Sequence, residues 1–316
     1  MGVGVGVGVG VGVGRWDRAG AGAGAAEQLV MKHDFNSNRI CVFDVSSFER
    51  HYEAASLVAR FNELVSLCQV EGELVLSGGI AEGSFDTNFE ASRLNYCYSP
   101  VRQEARAIEE LLLGRVAHCV VAFSRQQLFF MGGFLYQRAG FSSITNKCES
   151  NVAGKLTAMP SLVRGRAKAG GCAFEGRAIF LFCGKGEPEA LKSIEYLNTK
   201  NLERGWKKFP FEQKGERTLW LERTGLAAIQ LDSNRILVFG RLKNEYKCQE
   251  HATFTLHVRK KEMRLISDSQ IVTNGYQNPV ARLSDGHIYT LTFTKHPSLY
   301  QFNADEERWR FWKLSD

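Results

Sequence analysis

A short apolar run ending at or near glycine recurs along this chain at almost constant spacing. Leu74-Val75-Leu76-Ser77 runs into Gly78-Gly79, and Leu128-Phe129-Phe130-Met131 into Gly132-Gly133. Ile179-Phe180-Leu181-Phe182 leads to Cys183-Gly184, Ile236-Leu237-Val238-Phe239 leads to Gly240, and Ile288-Tyr289-Thr290-Leu291 leads to Thr292. The runs begin at 74, 128, 179, 236 and 288, giving steps of 54, 51, 57 and 52 residues. A period of this length means that one supersecondary unit is copied and that neighbouring copies share their core.

Each run is preceded by another apolar stretch and a small polar turn. Residues 67–70 are followed by Glu71-Gly72, 172–174 by Glu175-Gly176, and 279–283 by Ser284-Asp285-Gly286. Such turns supply the positive φ that tight hairpins need. The second half of each repeat offers shorter strands, at 93–98, at 193–197 with Trp206, at 253–258 with 263–266, and at 299–302 with Trp309. Four short strands per repeat make a blade, and blades set radially around a channel make a β-propeller. The 21 phenylalanines suit such a sheet-rich interior.

The expectation is therefore an all-β, six-bladed propeller with four-stranded antiparallel blades over residues 27–316. Five blades carry an anchor run. The unit before them is incomplete: only 34 residues separate Ile40 from Leu74, which makes 40–45 a third strand. Closure would then place the N-terminal strands beside the C-terminal ones in a shared sheet, removing free edges. Residues 48–65 also carry some helical spacing, through Phe48, Tyr52, Ala55, Phe61 and Val65.

Residues 1–26 differ from the rest. Positions 2–14 alternate Gly and Val, and 19–26 are almost wholly Ala and Gly. Few large side chains offset the chain entropy, so a disordered tail is expected. Arg15, Asp17 and Arg18 interrupt it and no cation precedes the Gly/Val run, which argues against a signal peptide. No run of 18 apolar residues suggests a membrane span. None of the eight cysteines forms a C-x-x-C pair, and most sit in apolar runs. Buried free thiols in a reducing, cytoplasmic setting follow from this.

Chemistry-bearing patterns are sparse. The seven histidines are scattered, and only His251, His257 and Cys248 lie close enough in sequence to suggest a metal site. There is no phosphate-binding glycine loop and no nucleophile elbow. No catalytic residue, cofactor or metal is expected. Residues 155–217 hold 13 Lys/Arg against 7 Asp/Glu, an excess of six positive charges, and include Lys207-Lys208. A basic face for nucleic acid or another acidic surface is one reading. The interleaved acids favour a solvated, mixed-sign surface instead.

The doublets Gly78-Gly79 and Gly132-Gly133, the single glycines Gly184 and Gly240, and the aromatic pairs Tyr196/Trp206 and Phe302/Trp309 together resemble the kelch repeat. The segment Met159-Pro160-Ser161-Leu162-Val163-Arg164 is similar to that family's approach to the first strand of a blade. Two repeats lack the aromatic pair, so the chain resembles a divergent member. The glycines would allow close backbone approach near the propeller axis. The resemblance implies a non-catalytic module for protein–protein interaction, acting as a scaffold, adaptor or cytoskeletal component. Some kelch-type propellers are enzymes, including copper oxidases and sugar-acid epimerases, which keeps a small-molecule or metal site in the channel as the alternative. Loops carry contacts while strands hold the ring. The longest loops, 80–91, 134–155 and 241–252, offer Tyr136, Arg138, Phe141 and Tyr246 as partner-binding anchors.

Overall fold

The structure, a computed structural model, describes residues 29–34, 39–45, 49–53, 64–80, 90–136, 142–187, 193–214, 223–242, 251–267, 279–292 and 298–313. The expected disordered tail, residues 1–26, lies outside the described residues, as do Arg138, Phe141 and Tyr246.

Hairpins build the fold as the apolar runs and turns require. In blade 1, Ser66–Val70 pairs with Glu73–Ser77, then Asn95–Ser99 and Glu104–Ile108 follow outward. The first turn places Glu71 at φ 47° and Gly72 at φ 73°, the double positive φ of a two-residue hairpin. Blade 2 repeats the order with Cys119–Ser124, Gln127–Met131, Cys148–Val152 and Lys155–Met159. Blade 3 uses Gly170–Phe174, Ala178–Phe182, Ile194–Asn198 and Lys207–Phe209. Blade 4 is formed by Arg223–Gln230, Arg235–Leu242, His251–His257 and Glu262–Ser267, with Glu212–Lys214 added in parallel at its outer edge. Blade 5 comprises Val280–Arg282, Ile288–Thr292, Ser298–Asn303 and Arg308–Lys313.

The chain is thus a β-propeller with four-stranded antiparallel blades, but among the described residues such blades number five, not six. The N-terminal unit is a sheet of three strands, Leu29–Asp34, Arg39–Asp44 and Glu49–Glu53. Arg39–Asp44 is its middle strand rather than a third strand, and Glu49–Glu53 is extended where a short helix was one reading. Among the described residues no strand of this sheet pairs with a C-terminal strand, where a shared sheet was the expectation.

Face-to-face packing does the closing instead. Side chains alternate across a strand, so one sheet serves two neighbours. Leu29, Met31, Ile40 and Val42 pack on Leu67, Leu74 and Leu76 of blade 1. Val30, Phe43 and Val45 pack the other way, on Tyr289, Leu291 and Leu299 of blade 5. The same alternation joins blade 1 to 2 through Val75, Cys97, Val120 and Phe130, and blade 3 to 4 through Phe180, Phe182, Val238 and Phe254.

Polar side chains latch successive inner strands near the channel. Gln69 accepts from the Met31 N–H at 3.0 Å and donates to the Leu29 carbonyl. The Glu175 N–H donates to Gln230 Oε1 at 3.0 Å, while Gln230 Nε2 donates to Glu175 Oε1 at 2.8 Å. Arg282 donates to the Gln230 and Leu231 carbonyls at 2.8 and 2.6 Å.

The glycine doublets do occupy matching places, and their crowding is between blades. Gly78 and Gly132 adopt φ of 64° and 65°, and the peptides after them donate to the next blade's linker, Gly79 N–H to Arg115 O at 3.1 Å and Gly133 N–H to Arg166 O at 2.8 Å. In blade 3 Cys183 takes the corresponding left-handed position at φ 45°, ahead of Gly184 at 97°. Gly240 departs from the pattern: it stays inside its strand, opposite Ala252.

The aromatic pairs divide. Phe302 and Trp309 meet at 5.0 Å between ring centroids, and Trp309 reaches across to Phe239 of blade 4, also at 5.0 Å. Trp309 Nε1 donates to Thr253 Oγ1 at 2.9 Å, making it a clamp between blades 4 and 5. Tyr196 and Trp206 lie on different sides of blade 3. Tyr196 packs on Phe180 and Phe209 toward blade 4, whereas Trp206 joins the core shared with blade 2.

Candidate functional site

Connections between the second and third strands of a blade, and linkers from one blade to the next, emerge at the strand ends opposite the tight turns. Two linkers on this face are held by one device. Arg115 is fully buried before the first strand of blade 2. Its guanidinium donates to the Gly132 and Lys147 carbonyls, both at 2.9 Å, and pairs with buried Glu149. Glu149 in turn accepts the Leu112 and Leu113 N–H groups at 2.7 and 3.3 Å. One blade on, buried Arg166 donates to the Cys183 and Ser193 carbonyls at 3.0 and 3.3 Å and pairs with Glu195. Glu195 accepts the Val163 and Arg164 N–H groups at 2.8 and 3.1 Å.

The consequence is a pair of rigid linkers that hold apolar side chains out in solvent. Leu112 and Val163 occupy equivalent positions and are 48% and 53% exposed. Val163 borders a groove of about 570 Å³ with Leu135, Ile144, Asn146, Arg164 and Glu187. One wall is a hairpin of Phe134–Tyr136 and Ser142–Ile144. Another holds the Arg164–Glu187 ion pair at 2.8 Å. Lys185 lies 5.5 Å from the Phe134 ring centroid, in cation–π range. Tyr136, an expected anchor, is half-buried on this hairpin with its ring 6.3 Å from Phe134. The sequence offered Val163 only as part of the approach to a blade, and Leu112 and the Arg–Glu device went unnoticed in it. The available signal was the spacing of Arg115 and Arg166, 51 residues, which equals one repeat.

A polar cluster lies beneath the doublet of blade 1. His118 Nδ1 is 3.2 Å from Ser66 Oγ and Nε2 is 2.9 Å from Ser77 Oγ. Ser77 Oγ donates to Asn95 Oδ1 at 2.5 Å. Serine, histidine and asparagine in contact invite comparison with a nucleophilic constellation, but His118, Ser66 and Ser77 are all 0% exposed. With no route for a substrate, the cluster is a clamp between blades 1 and 2. Burial, and then the Arg115 charge, hold the imidazole's pKa well below its ordinary value. Because the folded pKa is below the unfolded one, this group's contribution is intact above about pH 6.5 and is lost as pH falls below it. The stability advantage of the native chain over His118→Gln is therefore expected to shrink between pH 7.5 and 5.5. Chemical denaturation at both pH values checks this, and an unchanged gap would refute it.

The inner strands enclose a channel cavity of about 520 Å³ lined by Leu67, Val121, Ala173, Leu226 and Ala228, with Gln69, Gln230, Asp232 and Arg282 toward the tight-turn end. Cys68, Cys119 and Cys172 also line it, and none of the seven described cysteines is in a disulfide. Burial pushes the Cys68 thiol up to about 12 and raises Cys119 and Cys172 as well, so these thiols are protonated and inert at neutral pH. Among the described residues no group of three His, Cys, Asp or Glu is placed to hold a metal, and Cys248 lies outside them. Of the positive charges of 155–217, Arg166 is buried in its ion pair, Arg164 is paired with Glu187, and Lys207 and Lys208 stand exposed on the outer strand of blade 3. No described helix is long and apolar enough to cross a membrane.

No protein-family model and no curated protein matches the chain. Among solved structures, that of YjhT is similar in fold, with a TM-score of 0.61 over 87% of this chain and 91% of that one at 11% identity.

Proposed function

We propose that this protein is a non-catalytic, kelch-type propeller that binds other proteins through the linker face of blades 2 and 3. The observation that carries the reading is the repeated display of half-exposed Leu112 and Val163 on linkers immobilised by buried Arg–Glu pairs. An apolar side chain fixed before binding loses little entropy on contact, which suits it to be an anchor. The adjoining groove adds an apolar floor, an aromatic hairpin and a charged rim, the composition of a recognition surface. Tyr136 stands on the hairpin that forms one wall of this groove. A scaffold or adaptor role in a reducing compartment accords with the free thiols.

The test is a paired affinity purification with mass spectrometry, comparing the native chain with Leu112→Asp/Val163→Asp. Both sites are exposed, so the variant is expected to keep its circular dichroism and thermal midpoint while losing its specific partners by at least about tenfold. Partners retained equally by a folded variant would remove this face from the proposal.

A further inference from the structure

We propose that the outer rim where blades 3 and 4 meet binds the phosphodiester backbone of nucleic acid, without reading its sequence. The turns that join the third and fourth strands of these blades stand at the tight-turn end of the ring. In blade 3, Lys200 and Arg204 are exposed on that turn, and Lys207 and Lys208 open the outer strand after it. In blade 4 the turn is Arg259-Lys260-Lys261, all exposed. The chain itself ties the two groups together. Just beyond Lys208 it pairs with the outer strand of blade 4, Glu212 beside Glu262, and the Glu212 N–H donates to the Lys261 carbonyl at 2.8 Å. The stretch from Lys207 to Glu212 can span at most about 18 Å, so the two groups form one patch.

Acids that interleave with these cations in sequence do not neutralise them in space. Glu187 is held by Arg164 and Glu195 by Arg166, both away from the rim. None of the seven cations makes an ion pair among the described residues. The acids of the patch are Glu203, Glu212 and Glu262, and Glu212 already lies 3.7 Å from a further cation, Lys214. Counting Lys214, eight cations face three acids. The acidic turn of blade 5 does not offset this excess, since its Glu306 pairs with Arg310 and its Glu307 with Arg235.

The rest of the patch decides which polyanion fits. Its aromatic side chains turn inward: Trp206 and Phe209 are buried and Phe211 is half-buried against the core between the blades. Leu202 is its one exposed large apolar side chain. A protein partner finds no aromatic anchor here, and a membrane no aromatic side chain to insert. A phosphate backbone needs only cations along its path, and their pairing releases counterions.

Fluorescence anisotropy of the whole chain with a short labelled DNA duplex, repeated across salt concentrations, tests the assignment. The logarithm of affinity is expected to fall linearly with the logarithm of salt. Lys207→Gln/Lys208→Gln and Arg259→Gln/Lys260→Gln should each flatten that slope by about two. All four positions are exposed, so circular dichroism and thermal midpoint stay native. Arg308→Gln/Lys313→Gln removes the same charge from the outer strand of blade 5 and should leave the slope unchanged. Two duplexes of unrelated sequence should bind alike. No binding at about 50 mM salt, an unaltered slope in both patch variants, an equal change in the blade 5 control, or tighter binding to polyglutamate or to phosphatidylserine vesicles would each overturn the proposal. The patch lies at the opposite strand ends from Leu112 and Val163, so Leu112→Asp/Val163→Asp should keep its nucleic-acid binding, and failure of either reading leaves the other standing.

Discussion

Arg166→Met is expected to lower the free energy of unfolding by about 3–5 kcal/mol. The side chain is 0% exposed and its partner Glu195 only 1%, so the substitution strands a carboxylate inside the protein. It also releases the Cys183 and Ser193 carbonyls and the Ser193 hydroxyl, which Arg166 serves. Removing both charges should not restore native stability. In Arg166→Met/Glu195→Leu the Val163 and Arg164 N–H groups lose the carboxylate that accepts them, at a cost of about 1–3 kcal/mol each if they stay dry. Urea denaturation of the two single variants and the double variant measures the coupling. A loss under about 1 kcal/mol for Arg166→Met would show that water reaches the pair and that the linker is not held as described.

Gly132→Ala is expected to have an effect of similar size by a different route. At φ 65° an L-residue is strained, which costs about 1–2 kcal/mol. In addition, the new Cβ would stand 2.1 Å from the Arg166 carbonyl oxygen, a backbone atom with nowhere to retreat. Blade 3 would have to move away from blade 2, breaking the Gly133 N–H to Arg166 O bond. Gly154→Ala is the control. It shares the positive φ, at 81°, but nothing lies within 4 Å of its added methyl. Its loss should stay near the torsional cost alone, and Gly132→Ala should lose at least twice as much in denaturation midpoint. Equal losses would mean that the doublet is needed for its torsion and not for blade contact. Because both substitutions act on Arg166, Gly132→Ala combined with Arg166→Met should cost less than the sum of the two.

These two sites separate what was readable in the chain from what was not. The period of the apolar runs and the turn residues between them were sufficient for strands, hairpins and a radial arrangement, because strand pairing within a hairpin is local and its turn chemistry is explicit. The Phe302/Trp309 contact was equally readable, since Trp309↔Phe302 is a register partner on adjacent strands. Tyr196 and Trp206 were not: they lie on opposite faces of blade 3, and facing is set by strand register that residues 199–206 interrupt.

By itself the sequence determined the repeating unit: what pairs with what inside a blade, and where glycine must stand. Only the tertiary structure decided how the copies meet. The N-terminal strands close the ring by packing two faces against blades 5 and 1, where edge pairing was the expectation. Arg115 and Arg166 are held inside by carboxylates 34 and 29 residues away. Alternation along a strand states which side chains face each side, but the neighbour they face is chosen by the curvature of the whole ring.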